Sequence, residues 1–177
     1  MWKLLLVAGL LATVVVGAGL GLRPAAARGA RIGAVAPELT GGPWHNSGPV
    51  SLAALRGRVV FVEFWTYGGI NCQHVIPQLR VWHDRYEKAG LTIVGVHTPE
   101  FLWERPPDRV AAKVREYGIR YPVVQDNDSM IWKRFGTWAW PTSILIDRKG
   151  VVRYQHIGEG EYAETEAMIE RLLGEGG

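Results

Sequence analysis

The residues best suited to chemistry stand around the single cysteine of this chain. Cys72 follows an apolar run and opens a segment with helical periodicity, and Glu63 is the only charged residue within that run. Thiol–disulfide exchange needs an accessible thiolate with a lowered pKa. A carboxyl group in an apolar strand has a raised pKa, because burial disfavours its charged form, and this suits proton transfer near neutral pH. The alternative is that Cys72 is an inert, half-buried thiol and Glu63 a satisfied structural carboxylate.

A strand and a helix must position these two residues. Residues 59–65 form a nearly continuous apolar run, which is typical of a strand buried on both faces. Residues 72–88 carry apolar side chains at helical spacing, and Gly90 ends the helix. Residues 91–96 form a second apolar run, so we expect two parallel strands joined through the helix.

The rest of the chain continues this alternation of strands and helices. Residues 37–55 are rich in Gly, Pro, Asn and Ser and predict a small irregular hairpin ahead of the main sheet. Further helices are predicted at 107–117, 130–135 and 161–173, and further strands at 121–125, 142–147 and 151–157. The pattern predicts an α/β fold with a central mixed β-sheet flanked by helices and an N-terminal hairpin extension.

Residues 1–27 have the pattern of a targeting segment. Lys3 precedes an apolar run at 4–22, and residues 25–27 offer a small-residue cleavage pattern. A signal peptide and an uncleaved membrane anchor both agree with the length of the run. Either one predicts an extracytoplasmic protein of the periplasm or cell envelope, secreted or membrane-anchored. Residues 28–36 are expected to be a linker and residues 37–177 the folded domain.

Composition argues against several classes of function. The formal net charge is +3, and no basic cluster is interleaved with exposed aromatic residues, so we expect no nucleic-acid partner. With one cysteine the chain cannot form an internal disulfide. His74 follows Cys72 by two positions on a helix, so the two side chains point in different directions and a metal site that also used His97 is not favoured. We expect neither a metal nor another cofactor.

Residues 65–72 read W-T-Y-G-G-I-N-C, and other short motifs accompany this stretch. They are W-H-N-S at 44–47, L-R-G-R at 55–58, G-V-H-T-P-E at 95–100, W-P at 140–141, L-I-D at 145–147 and G-E-G-E-Y at 158–162. In this order and spacing they resemble the membrane-anchored or exported thioredoxin-like redoxins of the TlpA/ResA type. The nearest subgroup is the C-terminal domain of DipZ-type proteins, whose site typically reads W-T-Y-x-C-I-N-C. The resemblance runs from Pro37 to the C-terminus and implies a thioredoxin-like fold.

The resemblance also implies a role for the residues around the cysteine. Gly69 occupies the position of the nucleophilic cysteine of the family, and Cys72 occupies that of the partly buried resolving cysteine. Burial raises the pKa of a thiol, so Cys72 is expected to be a slow nucleophile. Glu63 stands where thioredoxins carry a buried acid that accepts the proton of the inner cysteine.

A second group of residues is implied to contact substrate. Pro141 matches the cis-proline that faces the active-site loop in this fold, and the backbone of Trp140 is expected to pair with an extended substrate segment. An aromatic rim suited to holding a polypeptide is expected from Trp65, Tyr67, Trp138 and Trp140, with Trp65 expected to be part of the core.

Three functions follow from these observations. The first is an exported thiol–disulfide oxidoreductase whose two-cysteine cycle is disabled by Gly69. The second is a redox-inactive thioredoxin-fold module that binds exported proteins, and the less favoured third is a one-Cys peroxidase that uses Cys72. Expected partners are exported proteins with thiols or disulfides, a membrane electron donor, and the membrane itself through an uncleaved N-terminus.

Overall fold

The computed structural model describes residues 29–176, and within that range the chain folds around one six-stranded mixed sheet. The strand order is β1-β4-β3-β2-β5-β6. The strands are β1 (Trp44–His45), β2 (Val59–Trp65), β3 (Leu91–His97), β4 (Val123–Gln125), β5 (Thr142–Ile146) and β6 (Val152–Ile157). The α-helices are α1 (Ile70–Tyr86), α2 (Pro107–Glu116), α3 (Met130–Arg134) and α4 (Tyr162–Gly174), and a short 3-10 helix spans Leu102–Glu104. The predicted mixed sheet with flanking helices is confirmed.

Strand β2 lies at the centre of the sheet and positions the candidate site. It pairs in parallel with β3 and antiparallel with β5. All seven of its residues are buried, as the continuous run of β-branched and aromatic residues predicted. Because α1 connects β2 to β3, both strands end at the same edge of the sheet, and the loops that follow them are neighbours there.

The side chains of β2 alternate between two hydrophobic cores. Phe61 and Trp65 belong to the core that includes α1, and Val62 and Phe64 belong to the core on the opposite face. By this alternation Glu63 shares the face of Phe61 and Trp65, toward α1. Each fully buried large apolar side chain stabilises the fold by roughly 1.5–3 kcal/mol. The backbone of β2, and with it Glu63, is therefore rigidly held.

Helix α1 begins earlier than its apolar pattern predicted. The pattern places the start at Cys72, but the helix runs from Ile70 with Gly69 as its N-cap. Ile70 is 60% exposed, so the first turn carries no buried side chain before Cys72 and leaves no periodic signal. The earlier start places position 69, rather than Cys72, at the helix N-terminus.

The segment before β2 does not form the expected hairpin by itself. Its two strand residues, Trp44–His45, pair antiparallel with Val124 and Val123 of β4. The N–H and C=O groups on the free edge of a strand attract a pairing partner, and β1 covers that edge of β4. The hairpin prediction is corrected to a single edge strand.

The segment predicted as a linker is attached to the sheet. The N–H groups of Gly33 and Ala36 donate to the carbonyls of Val152 and Gly150, and Val35 forms a bridge with Val151. Residues 29–36 thus cover part of the other outer strand, β6, for the same physical reason. The predicted signal peptide or anchor at 1–27 lies outside the described residues. Within 29–176, no helix is both long enough and apolar enough to cross a bilayer.

Candidate active site

The candidate site lies where β2 ends and α1 begins. Residues 66–69 connect the two elements, and the Gly69 N–H donates to the carbonyl of Thr66 at 3.4 Å. Gly69 has φ −81° and ψ 120°, an extended conformation open to any residue. The first N–H groups of a helix have no partner within it and favour negative charge nearby. Position 69 therefore has the backbone setting that lowers the pKa of a thiol.

Cys72 has the opposite setting. Its side chain is 2% exposed, and burial raises the pKa of the thiol to about 12. A hydrogen bond with the Thr66 backbone lowers the pKa, but the negative charges of Glu63, Glu104 and Glu100 raise it further. The thiol is protonated and covered at neutral pH, as expected for an inner cysteine.

The geometry around Gly69 is compatible with a second sulfur. A Cβ atom at Gly69 would lie 3.3 Å from Cys72 Sγ and 3.3 Å from Thr66 Cγ2. In a disulfide, the S–S bond of about 2.05 Å places each Cβ about 3 Å from the sulfur of the other cysteine. Position 69 thus stands close to disulfide distance from Cys72, but the glycine supplies no sulfur.

Glu63 is buried, and only one of its two carboxyl oxygens has a hydrogen-bond partner within the described residues. It is 1% exposed, and its Oε2 accepts a hydrogen bond from the Ser143 hydroxyl at 2.6 Å. Within the described residues its Oε1 has no hydrogen-bond partner. Burial raises the pKa of Glu63 to about 8, and the Ser143 hydrogen bond only partly opposes the shift. A carboxyl with this pKa can exchange a proton near neutral pH.

The peptide bond between Trp140 and Pro141 is cis. Thr142 follows it and pairs with Phe64 near the C-terminal end of β2. The proline therefore lies at the end of the strands where the site is found. The Trp140 indole N–H donates to the carbonyl of Thr98 at 3.0 Å, and its ring packs on Trp132 with the ring centroids 4.3 Å apart. Trp140 is therefore fixed from two sides.

The expected aromatic rim is only partly exposed. Trp138 is 51% exposed and Trp140 is half-buried, whereas Trp65 and Tyr67 are buried. Tyr67 stacks on His97 with the ring centroids 5.4 Å apart, and its hydroxyl donates to the carbonyl of Trp103 at 2.9 Å. Placing Tyr67 on the binding surface was therefore wrong, because its polar end is satisfied inside the protein.

The loop after β3 contributes site residues that sequence reasoning missed. Phe101 and Trp103 are about half exposed, and their rings stack with centroids 5.7 Å apart. Glu104 is fully buried, and its Oε1 accepts the Gly68 N–H at 2.9 Å. The available signal was the position of these residues just after a strand parallel to β2, since both loops must then meet at one edge.

His97 is a buried acceptor under the same turn. Its Nε2 accepts the Tyr67 N–H at 3.4 Å, which requires the neutral ring. Burial lowers the pKa of His97 to about 4, although the charge of Glu104 opposes the shift. His74 lies apart, exposed and bonded to Glu159. Among residues 29–176, no group of three or more His, Cys, Asp or Glu side chains could hold a metal ion.

Comparison with known proteins agrees with this geometry. Residues 32–155 match the model of the AhpC/TSA family. Over 142 residues the chain is 42% identical to protein DipZ of Mycobacterium bovis, covering 78% of this chain and 20% of DipZ. It is 29% identical over 125 residues to the thiol-disulfide oxidoreductase ResA of Bacillus anthracis, covering 70% of this chain and 68% of ResA.

The chain therefore spans about a fifth of the length of DipZ. Among solved structures, the thioredoxin-like superfamily protein SPOA0173 aligns with a TM-score of 0.75 and 30% identity, over 80% of this chain and 97% of that one.

Proposed function

The chain belongs to the AhpC/TSA family of thioredoxin-fold proteins, and on that basis we propose that it is an exported thiol–disulfide oxidoreductase relative whose two-cysteine cycle is disabled at Gly69. One observation carries this proposal. The only sulfur of the site, that of Cys72, is buried and carries a raised pKa, while the accessible helix N-terminus at position 69 has no sulfur.

The chemistry explains why the missing sulfur is decisive. In a two-cysteine cycle, the outer thiolate attacks a substrate disulfide and forms a mixed disulfide, releasing one substrate thiolate. The inner thiol, after losing its proton, then attacks the outer sulfur and releases the reduced substrate. Cys72 and Glu63 supply a thiol and a carboxyl for the second step, although the raised pKa of the Cys72 thiol opposes the loss of its proton. The first step has no nucleophile at position 69.

The test is insulin reduction by dithiothreitol, followed as precipitation of the free B chain. We expect the unaltered chain to leave the rate at that of dithiothreitol alone, because a protonated thiol that is 2% exposed cannot open the exchange. Clear acceleration that depends on Cys72, and that Cys72→Ser removes, would contradict the proposal.

A second function, a binding module without redox chemistry, is favoured by the exposed indole of Trp138, three residues before Pro141. We expect the unaltered chain to bind fluorescent, S-carboxymethylated insulin B chain, which is extended and has no free thiol. Because aromatic side chains dominate many interfaces, Trp138→Ala should weaken binding about fivefold or more. Fluorescence anisotropy measures the dissociation constant, and Trp44→Ala, at the β1 edge of the sheet, is the matched control. Binding that requires a free Cys72 thiol would argue against this function.

A one-Cys peroxidase is the function that the site supports least. Attack on peroxide needs a thiolate, and the burial of Cys72 raises the pKa of its thiol far from the neutral range. Export, and the exported thiol proteins and membrane donor as partners, remain part of the proposal. The apolar run at residues 4–22 supports export, and the similarity to the thiol-disulfide oxidoreductase ResA supports thiol-containing partners.

A further inference from the structure

Glu104 connects the turn before position 69 to the loop that follows β3. Its side chain is fully buried, and both carboxylate oxygens are used. Oε1 accepts the N–H of Gly68 at 2.9 Å, and Oε2 accepts those of Glu100 at 2.6 Å and Phe101 at 2.9 Å. One oxygen therefore serves the active-site turn and the other serves the residue's own loop.

These hydrogen bonds couple the position of the turn at 67–69 to that of the loop after β3. A buried carboxylate is costly unless donors compensate it, and the three donors here are all backbone N–H groups. Moving the turn away from the loop would leave part of the carboxylate buried without a donor. The side chain therefore opposes separation of the turn from the loop.

The same loop presents the aromatic ledge, which we define as residues 101–103. Leu102 is 76% exposed, and the stacked rings of Phe101 and Trp103 are about half exposed. The ledge lies against the turn, because a Cβ atom on Gly68 would come within 2.7 Å of Trp103 Cη2 and within 2.4 Å of Glu104 Oε1. Only glycine at position 68 permits this approach.

We propose that Glu104 is a positioning residue of the site, which locks the turn at 67–69 against the aromatic ledge and so keeps the Cys72 thiol covered. The inference deepens the proposed function, on which it rests, by naming the residue that holds the cover of the Cys72 thiol in place. Other contacts of the turn support a fixed geometry: the Tyr67 carbonyl accepts from the Gln73 side chain at 3.0 Å and from the Tyr117 hydroxyl at 3.1 Å.

The test compares Glu104→Gln with Glu38→Gln in the full chain. Glu38 is a matched control, because its carboxylate also accepts backbone N–H groups, those of Leu52 and Ala53 at 2.8 and 2.9 Å, away from the site. A glutamine amide has one acceptor oxygen, so Glu104→Gln can serve the turn or the loop but not both. The measurements are the rate of Cys72 alkylation by iodoacetamide under native conditions and hydrogen exchange of the Gly68 amide, with urea unfolding to report global stability.

We expect Glu104→Gln to speed Cys72 alkylation at least about tenfold, because hydrogen bonds to a buried charge are lost locally. Gly68 exchange should rise with it, and Glu38→Gln should change neither by more than about twofold at equal loss of global stability. If Glu104→Gln and Glu38→Gln alter alkylation equally once global stability is matched, Glu104 has no positioning role.

A second pair of variants tests the same lock without changing Glu104. Gly68→Ala should drive the ledge from the turn and speed alkylation, whereas Gly48→Ala, whose Cβ meets nothing within 4 Å, should not. Equal rates in this pair would also overturn the inference. Alkylation and exchange do not depend on turnover, so this inference and the proposed loss of the two-cysteine cycle can fail separately.

Discussion

The Gly69→Cys variant should gain insulin reductase activity that the unaltered chain lacks. The new thiol would stand at the N-cap of α1, where the helix N-terminus stabilises a thiolate, and its Cβ would lie 3.3 Å from Cys72 Sγ. Both steps of the exchange would then have a sulfur. We expect a rate at least about tenfold above that of the unaltered chain, a change of about 1.4 kcal/mol in the barrier.

Two controls separate a dithiol cycle from other effects of the substitution. Gly69→Ser adds a side chain of similar size without a thiol and should stay at the dithiothreitol rate. Gly69→Cys combined with Cys72→Ser should form stable mixed disulfides with substrate, because the sulfur that releases them is gone. A Gly69→Cys variant that folds, forms the internal disulfide and still does not accelerate reduction would show that more than one atom is missing from the site.

Replacing Glu63 with glutamine should remove a large pH dependence of stability. The pKa of Glu63 is about 8 in the fold against an ordinary value of 4.5, so between these values the folded chain holds a proton that the unfolded chain has lost. The stabilisation is complete below pH 4.5 and is lost as the pH rises through 8. Between pH 5.5 and 8.5 the loss amounts to about 3 kcal/mol.

Glu63→Gln keeps an oxygen that can accept from the Ser143 hydroxyl but cannot ionise. Its unfolding free energy in urea, relative to the unaltered chain, should therefore rise by about 3 kcal/mol from pH 5.5 to 8.5. Other titrating groups cancel in this difference. Glu164→Gln, which changes an exposed carboxylate, should show no such trend. A relative change below about 1 kcal/mol would mean that Glu63 is ionised in the fold at neutral pH.

The sequence predicted the sheet well because the fold is built from signals that are local. The apolar runs of β2 and β3 and the helical spacing of α1 each report burial directly. The pairing at the outer edges of the sheet was harder to predict, because Trp44–His45 pairs with residues of β4 that lie far away in the sequence. Periodicity likewise could not show the exposed first turn of α1.

Within the candidate site, the sequence predicted only those residues whose properties depend on their own type and on their neighbours in the sequence. Burial of Cys72 and Glu63 follows from their apolar neighbours, and the pKa of each is raised as expected. The roles of Glu104 and His97 depend on which backbone N–H groups meet them across the sheet edge. These contacts depend on the tertiary structure and cannot be read from the sequence, because an acidic residue in a loop is exposed unless the fold places donors around it.

The attachment of residues 29–36 to β6 limits how far the site can travel from whatever holds the N-terminus. Had these eight residues formed a free spacer, they could have reached roughly 27 Å at about 3.4 Å per residue. Instead the N–H of Gly29 donates to the carbonyl of Gly136, in the segment that leads to Pro141. If the proposed anchor at 1–27 holds the chain in a membrane, residues 29–36 add no free spacer between that anchor and the domain. Only partners near that membrane would meet it at a high effective concentration.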